Sequence, residues 1–333
     1  MMKKAFFRSD DERIKTLGRH TYYEGMPAFC WPNSGFCFSF RGSGITLSFA
    51  PFETPYTHYL LVRVDRMSQR FPISTGNEKI IIEGLDNKRH SVEVLKVTEG
   101  ESVDERIVFT GMEIQGVTPE LFPVPPKNSK LKIEFVGDSL TAGYGNLGTA
   151  EDKVFHTYQE DSTRAYAYVC AELLDAEAHF VCYSGKGVFC NCRGEKNYEI
   201  PIFFNHASRV TREPWDFSKW TPDAVVVNAG TNDFAGGVRG EDFTNAVVDF
   251  VNQIRETYPD AYIFWVYGMM QVSAFPYLEE AFARIEDKKC FFHKLKPWQE
   301  FKDEQGANGH PNAKSARRQA KVVAKFIKQK MKI

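Results

Sequence analysis

Two hydrophobic rhythms divide the chain. Between residue 20 and about residue 120 the apolar residues fall in short runs rich in aromatic and β-branched side chains. These lie at 36–40 (FCFSF), 45–49 (ITLSF), 59–64 (YLLVRV), 79–82 (KIII), 90–95 (HSVEVL) and 107–110 (IVFT). Phe36, Phe38 and Phe40 alternate with smaller or polar residues, the pattern of a half-buried strand. The separators are turn chemistry: Asn33-Ser34-Gly35, Arg41-Gly42-Ser43-Gly44, Thr75-Gly76-Asn77 and Gly84-Leu85-Asp86-Asn87. Many short strands at this spacing predict a β-sandwich or jelly roll over residues 1–118.

Residues 119–130 (PELFPVPPKNSK) contain four prolines and read as a stiff linker. Beyond them, over 131–333, strands alternate with helices. A strand at 132–136 (KIEFV) breaks at Gly137-Asp138-Ser139. A helix starting near an N-cap at Asp161 or Ser162 carries Ala165, Val169 and Leu173 on one face. A strand at 180–183 ends in Ser184-Gly185-Lys186-Gly187, and one at 224–228 ends in Ala229-Gly230-Thr231-Asn232-Asp233. A helix over 241–258 has Phe243, Val247, Phe250, Val251 and Ile254 on its apolar face. A strand at 262–267, a helix at 276–287 and a strand at 290–292 follow. The last helix, 313–330, has a stripe of Ala316, Ala320, Val323 and Ile327. This alternation predicts a parallel sheet with helices on both faces.

Composition narrows the partners. The 333 residues are 43% hydrophobic and 26% charged with a net charge of −1, which fits a folded globular protein. That balance argues against nucleic acid or an anionic membrane as a main partner. The N-terminal MMKKAFFRSDD has an apolar patch of only Ala5-Phe6-Phe7, too short for a signal peptide. Seven cysteines, an odd number without framework spacing, agree with a reducing, cytoplasmic setting. Cys182, Cys190 and Cys192 lack a CxxC pair or clustered histidines, so no metal site is read there.

A serine at the end of a buried strand sits where open α/β folds keep their crevices. The backbone N–H groups after it can hold a developing negative charge. A plain tight turn would account for the same residues. The order of the strand-end Ser139, the strand-end Gly230-Thr231-Asn232-Asp233 and Gly309-His310-Pro311-Asn312 before the last helix resembles the SGNH (GDSL) hydrolases. GDSLTAGYGN, YSGKGV and VNAGTND behind a β-domain and a proline-rich linker narrow the resemblance to carbohydrate esterase family 2.

The resemblance implies a flavodoxin-like three-layer α/β domain preceded by a jelly-roll domain. It implies a serine esterase that removes O-acetyl groups from acetylated hemicellulose oligosaccharides of the mannan or xylan type. No metal and no cofactor are implied. Ser139 is the expected nucleophile and His310 the expected base. The oxyanion donors would be the N–H of Ser139, the N–H of Gly187 (with Gly185 as second choice) and the amide of Asn232. Asp138 and Asp233 are read as bonding the backbone of their own loops.

The chain departs from the SGNH pattern ahead of the histidine. An aspartate commonly stands two or three residues before it, where this chain has Asn308 and Ala307. A Ser–His dyad is the expectation, with an oxygen of Asn308, side-chain or backbone, orienting the ring. Asp303 and Glu304 are the nearby acids that would overturn it. Trp31, Tyr144, Phe189, Trp215, Trp220, Trp265 and Trp298 are the aromatics weighed for sugar stacking. Trp265 reads as core. Trp215 and Trp220, in a loop, read as cleft residues, and Asn146 and Phe189 as lining for an acyl pocket. Two other readings remain: a lipase- or thioesterase-type hydrolase with a broad apolar cleft, and a catalytically weak carbohydrate-binding protein. The oligomeric state is not readable.

Overall fold

A computed structural model describes residues 1–51, 56–99, 106–125 and 129–333. The chain forms two units, one of Met1–Lys127 with Ala207–Glu213, the other of Asn128–His206 with Pro214–Ile333. No sequence pattern marks the 207–213 segment as part of the first unit.

Among the described residues the first unit has twelve strands. They are β1 (Lys3–Arg8), β2 (Lys15–Leu17), β3 (Thr21–Tyr23), β4 (Met26–Phe29), β5 (Gly35–Gly42), β6 (Gly44–Phe49), β7 (His58–Val64), β8 (Met67–Ile73), β9 (Lys79–Ile82), β10 (Lys88–Lys96), β11 (Ile107–Gly116) and β12 (Glu120–Phe122). One sheet runs β3-β4-β11-β6-β9 with β1 also on β11, the other β12-β5-β10-β7-β8 with β2 also on β5. Every pairing is antiparallel. The alternating phenylalanines meet between the sheets: the Phe36 ring stacks on Phe109 of β11 with centroids 3.9 Å apart. β5 is buried on both faces, Cys37 and Ser39 included, and not half-buried. It is paired along both edges and its second face carries small side chains.

Two expectations change in this unit. The apolar patch near the N-terminus is strand β1, with Phe6 opposite Glu113. The stretch read as linker, 119–130, begins as β12, where Leu121 pairs with Phe40. Proline at 119 and 123 bounds a three-residue edge strand, a place where missing N–H donors cost no ladder bond. Residues 126–128 of that stretch lie outside the described residues.

The second unit is a five-stranded parallel sheet of β13 (Lys132–Gly137), β14 (Glu177–Cys182), β15 (Ala224–Asn228), β16 (Tyr262–Tyr267) and β17 (Cys290–Lys294), in the order β14-β13-β15-β16-β17. The helices are α1 (Ser139–Ala142), α2 (Tyr166–Leu173), α3 (Ile200–Phe203), α4 (Thr231–Ala235), α5 (Gly240–Thr257), α6 (Phe275–Arg284) and α7 (Ala313–Met331). Tyr166, Ala167 and Cys170 of α2 and Ala320, Val323 and Ile327 of α7 pack on Ile133, Phe135 and Val226. On the opposite face Trp265 meets Phe250 of α5 and Phe282 of α6. Among the described residues no helix is long and apolar enough to cross a membrane.

The α2 face differs from its expectation. Asp161 caps a 3₁₀ turn, Ser162–Arg164, and α2 starts only at Tyr166. The buried stripe is Tyr166, Ala167, Cys170 and Ala171, while Leu173 is 43% exposed. A three-residue turn without helical continuation rotated the later helix away from the face read from Asp161.

The strand order leaves one place where consecutive connections leave in opposite directions, between β13 and β15. Gly137 pairs with Asn228 there, so the segments beginning at Ser139 and Thr231 emerge side by side at the carboxyl edge. Gly137 also lets α1 start tightly. A Cβ on it would lie 2.3 Å from Thr141 Oγ1 and 2.7 Å from Asn228 O. Gly137→Ala is expected to destabilise the protein by about 1–3 kcal/mol, read as a lowered urea midpoint. An unchanged midpoint would show that the turn relaxes freely.

Candidate active site

Ser139 is the first residue of α1, capped by Asp138, whose carboxylate accepts from Leu140 N at 3.0 Å. Thr141 and Ala142 N–H donate to Asp138 O. Within that first turn the N–H of Ser139 itself is left without a partner among the described residues, as helix starts leave their first donors. The Ser139 side chain is buried, with 4% of the residue exposed.

His310 reaches Ser139 from a loop tied down at many points. Gly306 N–H donates to His310 O, Ala307 N–H to Gly145 O, Asn308 N–H to Asp152 O and Ala313 N–H to Asn146 O. Asn312 caps α7 through Lys314 and Ser315 N–H and donates to Asp303 O and Gln305 O. The loop is thereby fastened to the segment that follows α1. The Tyr144 ring lies 4.5 Å from the His310 ring and stacks on Phe155 at 3.7 Å. Trp298 Nε1 donates to Gly309 O at 3.1 Å.

The ring nitrogens of His310 have distinct roles. Nδ1 lies 3.0 Å from Asn308 O, and Nε2 lies 3.0 Å from Ser139 Oγ. A carbonyl only accepts, so Nδ1 carries the hydrogen in the neutral ring. Nε2 is then the free lone pair facing the serine hydroxyl. Burial pulls the His310 pKa down to about 4, with the Asn308 carbonyl opposing the shift. The ring is therefore neutral near pH 7.

The orienting oxygen is the backbone carbonyl and not the side-chain amide. Asn308 has φ 48° and ψ 41°, the left-handed region that asparagine enters more readily than most residues. Its side-chain Nδ2 lies 3.4 Å from Tyr144 OH. The two nearby acids are elsewhere. Glu304 is held by Arg318 through contacts of 2.7–3.0 Å. Asp303 is exposed, and its backbone carbonyl accepts from Asn312 Nδ2 at 3.0 Å. Among the described residues no carboxylate bonds His310.

The expected donors meet the site unequally. Asn232 Nδ2 reaches Lys186 O at 2.8 Å and, at 3.2 Å, Oδ2 of Asp138, the residue before Ser139. Gly187 is a correction. Its N–H donates to Asn191 Oδ1 at 3.3 Å, and a Cβ there would lie 2.0 Å from Cys190 O. It is glycine because the loop closes on it. Gly185, half-buried at φ 78°, keeps an N–H with no partner among the described residues. Asp233 does more than serve its own loop: besides its own N–H, its carboxylate accepts from Val188, Phe189 and Cys190 N–H of the loop after β14, at 2.7–3.2 Å. Burial raises its pKa despite those donors.

The substrate-lining expectations fare worse. Asn146 borders the small hollow behind Ser139, but its amide is closed onto Asp161, donating to Asp161 O at 2.8 Å and accepting from Asp161 N at 3.0 Å. It is a brace. Phe189 is half-buried under the Lys196 ammonium, 3.3 Å from the ring centroid. Trp215 and Trp220 are buried against His179 of β14, and Trp220 Nε1 donates to Glu177 Oε1 at 2.8 Å. Glu177 opens β14 and Ser139 follows the far end of β13, roughly 15–20 Å away along a six-residue strand. Loop position does not reveal which edge of the sheet a loop visits. Trp31 and Trp265 are fully buried. Tyr144 and Trp298, half-buried beside His310, are the aromatics the fold brings to the site.

Such an arrangement suits acyl transfer: a hydroxyl on a neutral base, with N–H donors close by and a third group orienting the base. Comparisons with known proteins agree. Residues 135–318 match the GDSL-like lipase/acylhydrolase family, and residues 16–125 match the carbohydrate esterase 2 N-terminal domain. A cellulase/esterase, CelE, of Acetivibrio thermocellus is 29% identical over 93% of this chain and 39% of its own length. An acetylxylan esterase / glucomannan deacetylase of Cellvibrio japonicus is 27% identical over 62% of this chain and 56% of its own. The chain thus spans between two-fifths and just over half of these relatives. The structure of a family two carbohydrate esterase from Clostridium thermocellum, in complex with cellohexaose, superposes with a TM-score of 0.86 at 26% identity, covering 96% of this chain and 99% of that one. An acetyl xylan esterase from Butyrivibrio proteoclasticus shares the fold, with a TM-score of 0.88 at 20% identity over 98% of this chain and 99% of that one. With its matched hydrolase region joined to that N-terminal domain, the chain belongs to the GDSL-like lipase/acylhydrolase family and carries the β-domain of carbohydrate esterase family 2.

Proposed function

We propose that this chain is an O-acetyl esterase acting on acetylated mannan or xylan oligosaccharides through a Ser139–His310 dyad. The observation that carries the reading is the pair of 3.0 Å contacts of His310, one ring nitrogen on Ser139 Oγ and the other on Asn308 O. Ser139 Oγ attacks the acetyl carbonyl while Nε2 takes its proton. The oxyanion of the tetrahedral intermediate meets the N–H groups of Ser139 and Gly185 and the amide of Asn232. Collapse breaks the ester C–O bond, and His310 returns the proton to the departing sugar oxygen. Water, deprotonated by His310, then cleaves the acetyl-enzyme, giving acetate and free Ser139. The Asn308 carbonyl stabilises the transient imidazolium with a dipole in place of a full charge.

The sugar class rests on the relatives, which are described as acetylxylan esterase and glucomannan deacetylase. Seven free cysteines favour a reducing, cytoplasmic setting, where the substrate would be imported oligosaccharide and not intact polymer.

Acetate release from acetylated glucomannan and xylan oligomers tests the proposal. Ser139→Ala and His310→Ala are each expected to lower kcat/KM by at least about 10³-fold. Full activity in either variant would refute the dyad. Asn308→Ala keeps the carbonyl, so its kcat/KM should stay within about threefold of wild type, with stability lowered by about 1 kcal/mol from the left-handed backbone. A loss beyond about 10²-fold would assign the orienting role to the side chain.

A further inference from the structure

The Asn232 amide is held in one orientation by Lys186 O and by the carboxylate of Asp138, the residue before Ser139. The Asn232 Nδ2 bonds end on Lys186 O at 2.8 Å and Asp138 Oδ2 at 3.2 Å. Both partners accept, so only the nitrogen end of the amide fits between them. Turned over, its oxygen would face a carbonyl and a carboxyl oxygen. The other carboxyl oxygen, Oδ1, accepts from Leu140 N in the turn that carries Ser139. One buried side chain therefore holds the nucleophile turn and the amide together.

We infer that Asp138 is a positioning residue for ester hydrolysis, keeping the N–H end of Asn232 turned toward the reacting acyl group. This rests on the reading of Ser139 as nucleophile. As the oxyanion develops it shares the Asn232 N–H with Asp138 Oδ2, and the longer 3.2 Å bond is the one that yields.

Burial pushes the Asp138 pKa up to about 7, helped by the charge of Asp233 from α4. Tyr166 of α2 and Tyr267 of β16 also face this centre, and burial holds both phenols neutral. As pH falls through about 7 Asp138 gains a proton that opposes the Asn232 N–H. The rate should fall with it, apart from any loss at the lower pKa of His310.

Steady-state kinetics on p-nitrophenyl acetate test the inference, with Asp138→Asn, Asn232→Ala, the double variant and Ser139→Ala. In Asp138→Asn the Leu140 cap survives but an NH₂ faces the Asn232 NH₂, so the 3.2 Å bond is lost and the amide is displaced. The expected result is a kcat lowered by about 10²-fold with KM little changed. In the Asn232→Ala background the same change should cost less than about threefold, because Asp138 acts through Asn232. The acid limb near pH 7 in wild-type kcat should be absent in Asn232→Ala. An unaffected kcat in Asp138→Asn, or a loss that persists in full in the double variant, overturns the inference. Should Asp138→Asn fail to fold, the acid limb decides alone, and its persistence in Asn232→Ala overturns it. Undiminished hydrolysis by Ser139→Ala would instead overturn the esterase reading beneath.

Discussion

One hydrogen bond governs the chemistry available to this fold: Nδ1–H of His310 to the backbone carbonyl of Asn308. It fixes the tautomer that leaves Nε2 free for Ser139, and it does so with a dipole and no charge. A carboxylate would raise the basicity of the ring, whereas burial here keeps it low. The carbonyl can point this way only because Asn308 and Gly309 both take positive φ. Those angles are held by the bonds of the loop to Gly145, Asn146 and Asp152. The parallel sheet fixes the other half of the geometry, since β13 and β15 end side by side.

Next to Ser139 and Asn232 lie two buried carboxylates, Asp138 and Asp233. Asp138 ties the Ser139 turn to Asn232, and Asp233 gathers three N–H groups of the loop after β14. Both are pushed toward the neutral form by burial. The loops these carboxylates join are thereby fixed relative to one another. The site is thus built as three strand-end segments fastened to each other as well as to the sheet.

Much of this was legible in sequence because it is local. The strand ends and the α5 and α7 stripes follow from periodicity and turn chemistry, while the order of Ser139, Asn232 and His310 stands out through its resemblance to the SGNH hydrolases. The loss of the acid before His310 was legible too, as the residues Ala307 and Asn308. What could not be read depended on rotation or on direction in space. The 3₁₀ turn ahead of α2 shifted its buried face to Tyr166 and Cys170. Gly187 and Gly185 carry the same residue type two positions apart, and only the Asn191 and Cys190 contacts separate them. Trp215 and Trp220 sit in a patternless loop that turns to the amino edge of the sheet. The Asn312 cap, an Asn directly ahead of a helical stripe, was available as a signal that the loop before it is firmly anchored.

The state of the His310 ring is the most direct test of the whole account. Two-bond ¹H–¹⁵N spectra of the histidine-labelled protein, assigned by comparison with His310→Ala, report both tautomer and titration. The account predicts a neutral ring protonated at Nδ1 at pH 7, with a midpoint well below 6.5 and near 4. A ring protonated at Nε2, or one that titrates at or above 6.5, would contradict it.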